Sequence, residues 1–226
     1  MKKIIFILTL VSSLKIVFSE NKIIKLPNPV YKSKVSVEEA IFQRRSVRHY
    51  KNEPLTIQEV SQLLWSAGGK TIDGLTGATR SYPSAGGIYP IEIYLIAGNV
   101  KDLPAGIYKY DWRQHSLTFI KSADVRNQLM LAAYGQQMIS KAPISLVFTA
   151  VYEYTTSRYG ERGKSRYVPM DVGHAGQNVH LQAESLGLGT VVIGAFNDTA
   201  VKNALGLTSS KGLSEEPLYI MPIGKK

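Results

Sequence analysis

The 226-residue chain contains no cysteine. That absence excludes disulfides, thiolate zinc sites, iron–sulfur clusters and cysteine nucleophiles, and it leaves no redox clue to compartment. Acidic residues are scarce as well. Seventeen Asp and Glu stand against 27 Lys and Arg, for a formal charge of +10. Such a balance attracts anions: nucleic acid, anionic lipid or a phosphorylated small molecule. No long basic tail and no aromatic RNA-binding motif accompanies it, which speaks against nucleic acid. The G-x-S-x-G of serine hydrolases is missing too.

Three other motifs fail on spacing. Gly69-Lys70-Thr71 ends like a phosphate-binding loop, but Leu64 stands where that motif needs glycine. Gly187-Leu-Gly189 with Gly194 follows a helix and precedes a strand, the reverse of a dinucleotide fingerprint. Asp171, His174 and His180 do not share one helix face, so they make a poor metal site.

What is present is a chain 44% hydrophobic, long enough for one sizeable domain. Its start has the layout of a secretory signal peptide over residues 1–19: Lys2 and Lys3, then an apolar run from Ile4 to Leu14 that is too short to span a bilayer. Its removal takes three lysines, lowering the charge from +10 to +7. The expected location is periplasmic or secreted, an uncleaved anchor or a cytoplasmic chain being the alternatives. Residues 20–35, with Pro27 and Pro29, read as an extended arm, and 36–226 as the folded domain.

Within that domain, Ser36-Val-Glu-Glu39 and Thr56-Ile-Gln-Glu59 are capping boxes that open helices. Residues 68–90, rich in Gly, Ser, Thr and Pro, read as one long loop, a length that is usually functional. Strands are expected at Ile91–Ala97, Gly106–Asp111, Leu117–Lys121, Ile144–Val151, Val191–Phe196 and Leu218–Ile223. Helices are expected at Asp124–Tyr134, Asp171–Leu186 and from a cap at Asp198 to Leu205, with 152–168 as an exposed excursion. Helices and strands mix without strict alternation. The class is α+β. Along the long helix, Val172, Ala175, Gly176, Val179 and Ala183 form a stripe of small apolar residues, which suits close packing on a second copy of the chain.

Two segments carry chemistry. Arg44-Arg45-Ser46-Val47-Arg48 places three guanidiniums and a hydroxyl within five residues, a fork-like anion site. Pro83-Ser84-Ala85-Gly86-Gly87 is small enough to let a flat ligand approach backbone amides. Taken alone, the first could be a solvated turn and the second an ordinary flexible loop.

In this order, the two segments resemble the nitroreductase-like flavoprotein family. Arg44–Arg48 followed by His49-Tyr50 is similar to its flavin phosphate signature. Pro83–Gly87 with Tyr89-Pro-Ile-Glu92 resembles the SagB-type dehydrogenase branch, which includes azoline oxidases of peptide maturation. Gly173-His174, Gln177-Asn178, Leu186-Gly-Leu-Gly189, Gly194-Ala-Phe196 and Pro222-Ile-Gly224 match further blocks. The resemblance implies a central antiparallel sheet wrapped by helices and a two-fold homodimer with FMN at its interface. It also implies NAD(P)H as donor, with a small nitro, quinone or similar acceptor. By motif match, Arg44, Arg45, Ser46 and Arg48 would hold the phosphate and ribityl chain. Pro83, Ser84, Ala85, Gly86 and Gly87 would line the ring, and Gly194 and Ala195 would sit near its N5 edge. Lys225 or Lys226 would complete the phosphate site. No side chain is expected to act as catalytic acid or base, and no metal is expected. An azoline oxidase and a flavin binder without turnover are the alternatives. Lys109-Tyr110 is a dipeptide like one that matters in the azoline oxidases, but its place in a hairpin gives no ground for the same role.

Overall fold

A computed structural model describes residues 22–74, 77–207 and 213–226; the expected signal segment at 1–19 lies outside the described residues. The described residues begin with β1 (Ile23–Lys25), α1 (Val37–Gln43), α2 (Ile57–Gly68) and the strands β2 (Lys70–Gly74) and β3 (Gly77–Arg80). Strands β4 (Ile91–Ala97), β5 (Gly106–Asp111) and β6 (Ser116–Lys121) follow, then α3 (Arg126–Ala132), α4 (Met138–Lys141) and β7 (Ile144–Val151). The remainder comprises α5 (Tyr152–Tyr159), α6 (Val168–Ser185), β8 (Leu188–Thr190), α7 (Asp198–Leu205) and β9 (Glu215–Lys225).

Seven strands make one antiparallel sheet in the order β1-β6-β5-β4-β7-β9-β8. Both faces are covered, which explains why β7 reads as an unbroken buried run. Alternation along the strands divides two cores. Ile91, Ile93 and Leu95 of β4 pack with Leu63 and Leu64 of α2 and with Val172, Ala175 and Val179 of α6. Tyr94 and Ile96 face the other way, onto Leu129 of α3 and Val201 and Leu205 of α7. The expected α+β fold is the observed one. No helix among the described residues is long and apolar enough to cross a membrane.

The capping boxes behave differently. Thr56 and Glu59 cap reciprocally, whereas Ser36 caps Glu39 and the Glu39 carboxylate accepts instead from Gln43. The expected cap at Asp198 is Asn197, whose side chain accepts from the Ala200 amide. The stretch 68–90 is no single loop, since β2 and β3 form a hairpin within it. The excursion at 152–168 is helical: α5 ends at Gly160 (φ 56°) and a π-helical turn, Gly163–Tyr167, leads into α6.

A strand over Val191–Phe196 is absent. Pairing with β9 stops at Thr190 and is resumed only by a bridge between Ile193 and Ile220. Pro222 stands opposite Val191 in that register and has no N–H to give. The last strand is correspondingly longer than expected, Glu215–Lys225. The small-residue stripe on α6 meets this chain's own sheet: Val172, Ala175, Val179 and Ala183 lie in its core, and Gly176 abuts Tyr219. It therefore gives no support to a second copy.

Candidate functional site

The arginine segment is fixed by the strands beneath it. Immediately after α1, Ser46 forms a parallel bridge with Thr190, and the Val47 amide donates to the Thr190 carbonyl at 2.9 Å. Lys51 donates its amide to the Lys225 carbonyl at 3.0 Å. Two glycines permit this close approach. A Cβ on Gly189 would fall 2.6 Å from Val47 Cγ1, and one on Gly224 would fall 2.8 Å from Tyr50 Cβ. The Tyr50 hydroxyl donates to the carbonyls of Val47 (2.8 Å) and Pro222 (3.1 Å). Buried backbone and Tyr50 thus anchor the segment, while Arg44, Arg45, Ser46 and Arg48 remain exposed. Among the described residues, none of these three guanidiniums lies in an ion pair.

The two C-terminal lysines are in the opposite state. Lys225 pairs with Glu59, whose other oxygen takes the Thr56 amide and hydroxyl. Lys226 pairs at 2.5 Å with Glu184, which is only 9% exposed. These cations already have carboxylates.

The second segment follows the hairpin and runs along α6. Asn178 donates its amide nitrogen to the Ser81 carbonyl at 2.7 Å, and a ring nitrogen of His174 lies 3.4 Å from the Pro83 carbonyl. The Ser84 hydroxyl donates to Asp171 at 2.5 Å and accepts from the Tyr89 amide at 2.9 Å. Burial raises the Asp171 pKa, opposed by the bonds from Ser84 and the Ala85 amide. With its conformation set this way, the chain turns through Ala85–Gly87 with left-handed backbone at Gly86 (φ 64°) and Gly87 (φ 67°). Such angles favour glycine. A Cβ on Gly87 would meet nothing within 4 Å, so open space lies against its backbone.

Helix α6 separates the two segments. Asp171, His174 and Asn178 recur at helical spacing and take the loop on one face. Arg44 lies near His180, and Lys226 pairs with Glu184, one turn further along. At about 100° per residue, these two faces stand roughly 130° apart on the helix, with the core stripe on a third. Within one chain, the arginine segment and the glycine turn therefore flank α6 on different faces. Gly194 and Ala195 lie exposed a few residues beyond the Ser46–Thr190 bridge, and the Ala195 carbonyl accepts from Gln136 at 3.0 Å. A Cβ on Gly194 would also meet open space.

The Asp171–Ser84 clasp escaped sequence reasoning, in which Asp171 figured as the start of a helix and as a poor metal ligand. Among the described residues no metal-binding cluster occurs. Arg80 was missed as well. Buried under the loop, it donates to the Gly68 and Ile91 carbonyls and stacks near Tyr82 and Trp112. An arginine flanked by hairpin residues carries no signal of burial. Lys109 meets Glu92 and Glu215, consistent with a structural place in β5.

A family model described as the nitroreductase family matches residues 41–225. A protein of Methanocaldococcus jannaschii that bears the nitroreductase name is 44% identical over 192 residues, covering 85% of this chain and 92% of its own. The microcin B17-processing protein McbC of Escherichia coli is 28% identical over 158 residues, 68% of this chain and 57% of McbC. The trifolitoxin-processing protein TfxB of Rhizobium leguminosarum is 32% identical over 113 residues, and this chain spans 30% of its length. Among solved structures, one described as a nitroreductase from Ralstonia eutropha superposes with a TM-score of 0.76 at 28% identity, over 92% of this chain and 91% of its own.

Proposed function

The chain belongs to the nitroreductase family of oxidoreductases, and on that premise we propose that it binds FMN between two copies of itself and moves two electrons from NAD(P)H to a small organic acceptor. The observation that carries this reading is the placement of two ligand-ready segments on different faces of α6. A second copy of the chain, offering its glycine turn where the first offers its arginines, would let one ligand touch both. Exposed apolar side chains on α1, Val37, Ile41 and Phe42, offer area for such an assembly.

The residues fit the cofactor. Arg44, Arg45 and Arg48 present guanidiniums that meet no carboxylate among the described residues, as a phosphate needs, with the Ser46 hydroxyl beside them. Open space at Gly87 and Gly194 lets a flat ring approach backbone. Pro83–Gly87 would lie along the ring, and Gly194 and Ala195 near its N5 edge. When bound, FMN supplies the two-electron chemistry; the chain binds, orients and tunes it. Lys225 and Lys226 would bring to the phosphate site only the N–H donors that Glu59 and Glu184 leave free.

The test is direct. Protein purified with a flavin absorbance band, bleached by NADH or NADPH and dimeric by light scattering, is the expected result. A colourless protein even after FMN is supplied would end this reading, and colour without bleaching would favour a flavin binder or another donor. Similarity to McbC and TfxB favours a second reading, dehydrogenation of a peptide azoline. A screen of quinones, nitroaromatics and azoline peptides separates the two. Export is part of the proposal, supported by Lys2, Lys3 and the apolar run after them; the mature N-terminus tests it.

A further inference from the structure

The helical excursion leans on the glycine turn. An ideal Cβ on Gly86 would fall 2.5 Å from the Tyr159 hydroxyl and 3.0 Å from an Arg158 terminal nitrogen. Both side chains therefore press on the turn. The Tyr159 ring meets Tyr167 edge-on, with centroids 5.0 Å apart and planes at 79°. The Arg158 guanidinium lies 5.3 Å from the Tyr159 centroid. That of Arg162 lies 6.0 Å from the Tyr167 centroid and donates through Nε to the Tyr167 hydroxyl at 3.1 Å. Two cations are thus mounted on a pair of tyrosines beside the backbone proposed to carry the ring.

Aromatic faces orient a guanidinium without neutralising it. Among the described residues, neither Arg158 nor Arg162 lies within 4.0 Å of a carboxylate, although Glu153 and Glu161 are close in sequence. Both remain exposed. The mount is fixed: Gly163, where a Cβ would come 3.0 Å from the Thr155 backbone, locks the π-helical turn against α5. Such turns are frequent at functional sites.

We infer that Arg158 and Arg162 form an anion-recognising subsite, selecting reactants that join a planar ring to a sulfonate, carboxylate or phosphate. The subsite rests on the flavin reading, since the ring of the reactant would lie against the glycine turn. The anionic group could belong to the acceptor or to the phosphates of the nicotinamide donor. Its recognition is the same in both cases: charge-assisted bonds from planar guanidinium forks.

The experiment uses the FMN-loaded protein and titrates anthraquinone-2-sulfonate, uncharged 2-(hydroxymethyl)anthraquinone and NAD⁺ by calorimetry. In the R158Q/R162Q variant, Kd for the sulfonate, for NAD⁺ or for both should rise about tenfold, as expected for a lost charge-assisted contact. The neutral quinone should bind as before, and bound flavin should be unchanged. Weakened sulfonate binding alone makes the acceptor the source of the charge; weakened NAD⁺ binding alone makes it the donor. If neither changes by more than about twofold, the subsite does not exist. The single variants R158Q and R162Q repeat the comparison should the double one misfold. A protein that binds no flavin at all defeats the earlier reading, whereas a yellow protein indifferent to both arginines defeats only this one.

Discussion

Two groups of cations, neighbours on the same strand pair, differ in one respect. Lys225 and Lys226 each meet a carboxylate, Glu59 and Glu184. Arg44, Arg45 and Arg48, on the segment bonded to β8 and β9, meet none among the described residues. Sequence assigns all five to one anion site. The difference teaches that positive charge alone does not make a site: a lysine whose charge is already offset by a partly buried carboxylate brings a ligand only its remaining N–H donors. A guanidinium held over solvent by a backbone anchored elsewhere gives up only water.

The largest effect should come from breaking the unpaired side. Arg44→Ala with Arg48→Ala should release FMN, each lost charge-assisted contact costing about 1.5–3 kcal/mol. Melting of the apo form should hardly move, because both side chains are exposed. Flavin content after gel filtration, with apo melting alongside, is the check; full flavin retention would erase the distinction. Gly87→Val should come next. It lowers flavin affinity and reduction rate together by filling the open space, and a β-branched residue at φ 67° adds about 1–3 kcal/mol of strain to the apo fold. A variant that melts early yet binds FMN normally would make the glycine simple turn punctuation.

The paired side should respond in the opposite sense. Lys226→Ala strands the Glu184 carboxylate, so apo stability should fall by about 1–3 kcal/mol while flavin content changes little. Lys225→Ala should cost less, about 0.2–1 kcal/mol, since Glu59 keeps its bonds from Thr56. Urea midpoints rank the two. If either lysine variant sheds flavin as fully as the arginine pair does, the comparison fails.

The smallest effect is one of pH. His180 lies between the two groups, and burial, with Arg44 second, holds its pKa down to about 4 while Glu184 pulls the other way. In the unfolded chain the imidazole returns towards 6.5 and takes up a proton first. Its contribution to stability is therefore complete above about pH 6.5 and is lost as pH falls from there through about 4. Unfolding midpoints at neutral pH and at about pH 5 should differ less in a His180→Gln variant than in the parent chain. An unchanged difference would show that other groups set the slope.

Most of this fold could be read along the chain because its signals are local. The capping box at Thr56–Glu59, the apolar runs of β4 and β7 and the helical spacing from Asp171 onward each depend on residues a few positions apart. So do the five-residue arginine and glycine segments. The misreadings share another cause. Pro222 interrupts a strand at Val191 that is 31 positions away in sequence, and a stripe of small residues looks the same whether it faces its own sheet or another chain. Sequence by itself determined the family, the fold class and the two segments proposed to meet the flavin. Only the tertiary structure decided which cations meet carboxylates, which face of α6 each segment occupies, and that Tyr159 and Arg158 lean on the glycine turn. Those facts depend on partners as distant as Glu59 and Lys225, 166 residues apart. Such pairings are set by how the sheet and its helices pack, and no local pattern records them.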